Sequence, residues 1–122
     1  MITFAPEPTT IKQYAMRLYH GSSTPLTLQP GRCLYLSAEI KDAKEYALGI
    51  DVCGNYNEES YIYAMDIDEG TVVEIEDFAE FDALGYTDYD NMPDVAYNQE
   101  SGWYCVKNPT NLTLVEHYRN QL

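Results

Sequence analysis

Between Asp51 and Glu100 the chain contains no lysine and no arginine, although the same stretch holds fifteen carboxylates. That absence removes the basic groove on which a nonspecific grip on phosphate backbones depends, and no basic stretch elsewhere replaces it. With seven lysines and arginines against twenty acids, the formal net charge is -13. Direct nucleic-acid binding is therefore not expected. Cysteine is scarce too: Cys33, Cys53 and Cys105 are odd in number, widely spaced and in apolar contexts, so they suggest neither a disulfide framework nor a zinc site. They read as buried thiols. No window contains the roughly 18 consecutive apolar residues of a membrane span, and the start from Met1 to Pro6 lacks the basic and apolar segments of a secretory signal. The expectation is a cytoplasmic protein with no membrane partner.

What is present describes a folded chain. A hydrophobic content of 45% with twelve tyrosines argues against disorder, and 122 residues fit one domain, 1–122, with 1–9 as a lead-in. The acidic middle suits a protein partner with a basic surface, such as the positive groove of a nucleic-acid-binding protein. A solvated face that aids solubility explains the same charge equally well.

Along the chain, Thr9 or Thr10 fits the cap of a short helix carrying Ile11, Tyr14, Ala15 and Leu18 and ending near Tyr19. Turn formers fill His20 to Pro25, and Pro30-Gly31 precedes an apolar strand from Cys33 to Leu36. Ser37 then fits a helix cap, with Ile40, Ala43, Ala47 and Leu48 as the apolar stripe and Gly49 as the stop. Ser60 to Ile67 alternates as a strand, and Val72-Val73 continues a sheet. Asp77 caps a helix through Phe78, Phe81 and Leu84 that Gly85 closes, and Tyr86 to Gln99 reads as an acidic loop. Trp103 to Val106 and Leu112 to Val115 read as strands around the Asn108 to Asn111 turn.

Several of these residues carry chemistry. His20 precedes Gly21, where the backbone can approach a ligand closely, and its imidazole suits a ribose hydroxyl. Tyr35 and Tyr46 supply walls for a planar heterocycle, and the Ser37 hydroxyl suits a carboxamide or phosphate. Arg17 and Arg32 are the nearby guanidinium groups that could meet a pyrophosphate. Glu100 and Asp94 are alternative carboxylates for stabilising a cationic sugar or positioning a nucleophile. Ordinary packing and solvation compete with each assignment, given so many tyrosines and acids.

Tyr19-His20-Gly21-Ser22, Gly31 to Ser37 and Ala43 to Ala47 together resemble the His-Tyr-Glu, diphtheria-toxin-like branch of the ADP-ribosyltransferase fold, over residues 17–48 and 100–118. In that family an H-G motif lies on the first core strand, a G-x-x-[IL]-Y-[FL] strand leads into a helix, and a tyrosine of that helix stacks the nicotinamide of NAD. The resemblance implies an α+β, compact split-sheet domain with short antiparallel strands and two or three helices. It further implies NAD as cofactor, with His20 on the nicotinamide-side ribose, the Gly21 backbone and Ser37 on the carboxamide, and Tyr35 and Tyr46 enclosing the ring. Arg32 belongs to the same implied cofactor site. The segment from Trp103 to Pro109 with Leu112 to Glu116 resembles the family's closing strand pair, but Trp103 stands where that family has its catalytic glutamate. Glu100 lies three residues earlier, and small phage transferases of this fold, anti-CRISPR enzymes among them, place their carboxylate unconventionally.

Two functional expectations result. The first is an NAD-dependent mono-ADP-ribosyltransferase that modifies a protein side chain and releases nicotinamide, with His20 and either Glu100 or Asp94 as catalytic residues. The second is a catalytically inactive acidic protein of the same scaffold that blocks a basic protein surface.

Overall fold

Burial alternates along Glu59–Asp68 from Ser60 to Ala64, the signature of a strand whose successive side chains face opposite sides of a sheet. This is β3 of a computed structural model that describes residues 15–27, 33–87, 89–109 and 111–120. The remaining strands are β1 (Ala15–Ser22), β2 (Leu34–Ser37), β4 (Val72–Glu74), β5 (Val95–Asn98), β6 (Trp103–Val106) and β7 (Thr113–Arg119). They form one seven-stranded sheet in the order β4-β5-β6-β2-β1-β3-β7. The described residues include two α-helices, α1 (Ile40–Leu48) and α2 (Phe78–Thr87), so the domain is α+β. The sheet is mixed: β4 and β5 run parallel, and every other pairing is antiparallel.

One rung holds the two halves of the sheet together. β1 pairs with β3 through eight positions and β2 with β6 through four, but β1 and β2 meet only at Tyr19↔Ser37. Beyond that rung the strands part on the side of His20 and Tyr35. Leu18, Leu36, Met65, Ile67, Val95, Tyr104 and Val106 form the main core on one face. The opposite face carries two smaller clusters, one of Ala43, Ala47 and Ile62 under α1 and one built on Phe81, Leu84, Ala96 and Cys105.

Local chemistry fixes the two helices. Ser37 ends β2 and is not the expected helix cap, a position that Glu39 fills without a side-chain bond; the Ser37 hydroxyl instead donates to Asp42 Oδ2 at 2.9 Å and accepts the Glu39 N–H at 3.1 Å, organising the entry to α1. Gly49, at φ 62°, closes it with its N–H on the Glu45 carbonyl at 3.0 Å, the left-handed stop that glycine favours. Asp77 accepts the Glu80 N–H at 3.3 Å and caps α2, as its position in the sequence suggests. Asn98 is fully buried and spans two elements: Nδ2 donates to the Ile75 and Glu76 carbonyls at 2.8 and 3.2 Å, and Oδ1 accepts the Ser101 N–H at 2.8 Å.

Five further expectations need correction. Residues 15–22 are strand, where a helix to Tyr19 and turn residues from His20 were expected, because β1 lies between β2 and β3 with both faces partly covered, and that burial leaves spacings that mimic a helical stripe. The stretch from Tyr86 to Gln99 holds the end of α2, a 3₁₀ turn at Tyr89–Asn91 and β5, and Gly85 does not stop the helix. β6 and β7 do not pair with one another: β6 lies between β5 and β2, whereas β7 sits at the sheet edge beside β3. The sheet is not purely antiparallel. Of the three thiols, Cys105 is buried, Cys33 half-buried and Cys53 exposed. The lead-in 1–9, the start of the expected first helix, Gly31, Arg32 and Asp88 lie outside the described residues. No helix among those described is long and apolar enough to cross a membrane.

Candidate functional site

Where β1 and β2 separate, the structure opens a cleft of about 330 Å³ lined by His20, Cys33, Leu34, Tyr35, Tyr46, Phe78, Phe81, Asp82 and Trp103. These residues come from β1, the start of β2, α1, α2 and β6. In a continued ladder Gly21 would face Tyr35, but no backbone pair forms there. The His20 side chain fills the gap, with Nδ1 2.8 Å from the Tyr35 carbonyl oxygen.

That contact sets the state of the imidazole. A carbonyl oxygen only accepts, so Nδ1 carries the proton, and in the neutral ring Nε2 is left as an acceptor. Burial lowers the His20 pKa, and the bond to Tyr35 opposes the shift without reversing it. Near neutral pH the cleft therefore offers one uncharged nitrogen acceptor fixed in orientation.

The walls are aromatic. Tyr35 packs edge-on to Phe81, with ring centroids 5.7 Å apart, and its hydroxyl donates to the Asp82 carbonyl at 3.1 Å, tying β2 to α2. Tyr46 on α1 stands edge-on to Trp103 at 6.2 Å and leaves 67% of its surface exposed. Such rings suit a flat, weakly polar group that enters between them. No lysine or arginine lines the cleft, and Asp82 is its one carboxylate residue among the described residues.

Of the residues singled out in the sequence, His20, Tyr35 and Tyr46 meet in this cleft. Gly21 does not face it: a Cβ added there would lie 1.9 Å from the Ala43 carbonyl oxygen, so its missing side chain admits α1 against β1 instead of a ligand. Ser37 is buried, with its hydroxyl engaged by Asp42 and Glu39. Arg17 pairs with Asp66 across β1 and β3 at 3.1 Å, outside the lining. Glu100 sits exposed in the β5–β6 turn and Asp94 exposed at the opposite end of β5, so the two are not brought together and neither lines the cleft. Arg32 lies outside the described residues.

Phe78, Phe81, Asp82, Trp103 and Cys33 were not assigned to the site by sequence reading. The three-residue spacing of Phe78 and Phe81 marked an apolar helix face, but only the fold shows that it closes on β2. No protein-family model matches the chain, and no curated protein or solved structure matches it either.

Proposed function

We propose that the cleft receives the nicotinamide end of NAD and that the protein is an NAD-dependent mono-ADP-ribosyltransferase acting on a protein side chain. The observation that carries this reading is the neutral His20 held against the Tyr35 carbonyl where two strands part, inside an aromatic-walled cleft. In the proposed complex the planar ring lies among Tyr35, Tyr46 and Trp103, and His20 Nε2 accepts from a ribose hydroxyl. The ribose–nicotinamide bond breaks with its electron pair leaving on nicotinamide, positive charge builds on the sugar, and the acceptor side chain forms the new bond at the anomeric carbon. A carboxylate near that charge lowers the barrier. Asp82, on the cleft wall, is assigned that role ahead of Glu100 and Asp94.

One observation favours a second reading. Trp103 begins β6 and neither Glu100 nor Asp94 lines the cleft, which suits a scaffold without turnover whose acidic surface blocks a basic partner. Titrating the protein with NAD while following binding and nicotinamide release, with His20→Ala and Asp82→Asn, separates the readings. Saturable binding lost in His20→Ala, with release lost but binding kept in Asp82→Asn, supports the transferase. Binding without release, even with a target-containing lysate, supports the blocking protein. No binding at millimolar NAD overturns the transferase and leaves the blocking protein as the better account.

A further inference from the structure

Tyr35, Tyr46, Phe78, Phe81 and Trp103 give the cleft five aromatic lining residues, and Asp82 stands among them. Phe81 is almost fully buried, whereas Tyr46 and Phe78 are exposed, so the rings run from floor to rim. Their planes stand near a right angle, 68° between Tyr35 and Phe81 and 66° between Tyr46 and Trp103. Two such planes form a corner in which one group can meet a face of each. We propose that the cleft is a cation-recognition site that takes a methylated lysine side chain from a basic protein partner.

The lining fits an organic cation. The negative face of an aromatic ring attracts positive charge, most strongly where water is excluded. No lysine or arginine is among the lining residues, and Lys44 and Lys107 sit over Tyr118 and Tyr89, rings outside the cleft. Burial lowers the His20 pKa, so near neutral pH the imidazole adds no positive charge. Asp82 supplies the opposite charge, and the Tyr35 hydroxyl holds it in place by donating to the Asp82 carbonyl at 3.1 Å. An unmodified lysine ammonium is compact and strongly hydrated. Methyl groups spread over that charge reduce the hydration lost on entry and pack against the rings. His20 Nε2 and the Asp82 carboxylate are acceptors for any N–H that a partly methylated group keeps.

The charge around the cleft points to a protein as the source of that side chain. α2, which brings Phe78, Phe81 and Asp82 to the wall, also carries the exposed Glu80, and the exposed Glu76 and Asp77 precede it. A free small cation fills the cleft without reaching these carboxylates, whereas a peptide rich in lysine and arginine pairs with them while its methylated residue enters past the exposed rim. The formal net charge of -13 steers such a partner from a distance. At about 330 Å³ the cleft is at the small end of ligand pockets, which run to roughly 1,000 Å³, and suits one side-chain head. This inference does not rest on NAD entering the cleft, and NAD and the peptide would compete for the same space.

The test measures binding of a fluorescently labelled peptide, rich in lysine and arginine, that carries one trimethyl-lysine. Two control peptides carry plain lysine or a neutral tert-butyl isostere at that position. The trimethyl peptide should bind saturably and about tenfold more tightly than either control. Tyr46→Ala should weaken it about fivefold, and Tyr46→Phe should keep the parent's affinity. Tyr46 is 67% exposed, so both variants leave the core in place. Asp82→Asn should weaken binding about threefold at low salt and less at high salt. Overturning results are equal binding of the plain-lysine or isostere peptide, an unchanged affinity in Tyr46→Ala, or choline binding as tightly as the peptide, which would make the ligand a free small cation. A parallel NAD titration separates this inference from the transferase. Peptide binding without NAD binding overturns the transferase alone, and NAD binding without peptide binding overturns this inference alone.

Discussion

The imidazole of His20 donates from Nδ1 to the carbonyl oxygen of Tyr35 at 2.8 Å, a side chain standing in for the ladder rung that β1 and β2 do not form. The parting of the strands creates the cleft, and the same bond keeps the Tyr35 carbonyl satisfied at its edge. His20 thus serves the fold and the candidate site together. Its burial sets a pH dependence for both.

His20 has its pKa lowered from 6.5 in the folded chain, mainly by burial. Between that value and the lower folded one, the unfolded state binds more protons, so stability falls as pH drops below 6.5 and levels off once the folded pKa is passed. One such group contributes a slope of at most about 1.4 kcal/mol per pH unit. His20→Gln retains a donor for the Tyr35 carbonyl without the titration, and it should lose less stability than the parent between about pH 7.5 and pH 5. Urea midpoints at the two pH values measure the difference. Equal losses in both proteins would remove His20 as the source.

Gly21 sets how closely α1 approaches the sheet. A methyl group placed there would lie 1.9 Å from the Ala43 carbonyl oxygen and 3.1 Å from Ala47 Cβ, and the first of these neighbours is backbone that cannot rotate away. Gly21→Ala should therefore cost about 3 kcal/mol, at the upper end of ordinary overpacking. Chemical denaturation gives the value directly, and a cost near zero would mean that α1 slides without penalty.

Asn98 binds the end of β5 to Ile75 and Glu76 and to the turn that leads into Trp103. Alanine at this position leaves two carbonyls and one N–H without their side-chain partner, in a place where Asn98 itself is fully buried. Asn98→Ala should destabilise by about 2–3 kcal/mol. Trp103 should also become more accessible to an aqueous quencher, since the turn before it loses its anchor. A destabilised protein with unchanged quenching would confine Asn98 to a purely structural role.

Much of this fold is legible where one face of an element is buried and the other wet. The Ile40, Ala43 and Ala47 stripe with Gly49 behind it marks α1, and the alternation through Ser60, Ile62 and Ala64 marks β3. β1 and β5 escape the same logic because residues on both of their faces are buried. Leu18 and Gly21 are both buried although they face opposite sides, and Val95, Ala96 and Asn98 are buried on a strand too short to show a period. The site divides likewise. His20, Tyr35 and Tyr46 are suggested by local motifs, whereas Asp82 and Trp103 reach the cleft only because β6 lies beside β2 and α2 packs on Tyr35. The placing of Arg17 against Asp66 is a register effect of β1 on β3, invisible to spacing along the chain.

Trp103 is the only tryptophan and lines the cleft, so its fluorescence reports occupancy without a label. A planar ligand seated beside it should quench the emission saturably, and NAD and free nicotinamide are the probes to titrate. Tyr46→Ala removes the ring that stands edge-on to Trp103 and should weaken that binding about fivefold, the scale of one aromatic contact. Arg17→Ala should leave it unchanged, because the guanidinium is held by Asp66 through contacts of 3.1 and 3.4 Å away from the cleft. Weaker binding of NAD but not of nicotinamide in Arg17→Ala would instead place the phosphates along β1, restoring the role that Arg17 was expected to have. Quenching that persists in Tyr46→Ala at the parent's affinity would mean that the Tyr46 ring does not contact the bound ligand.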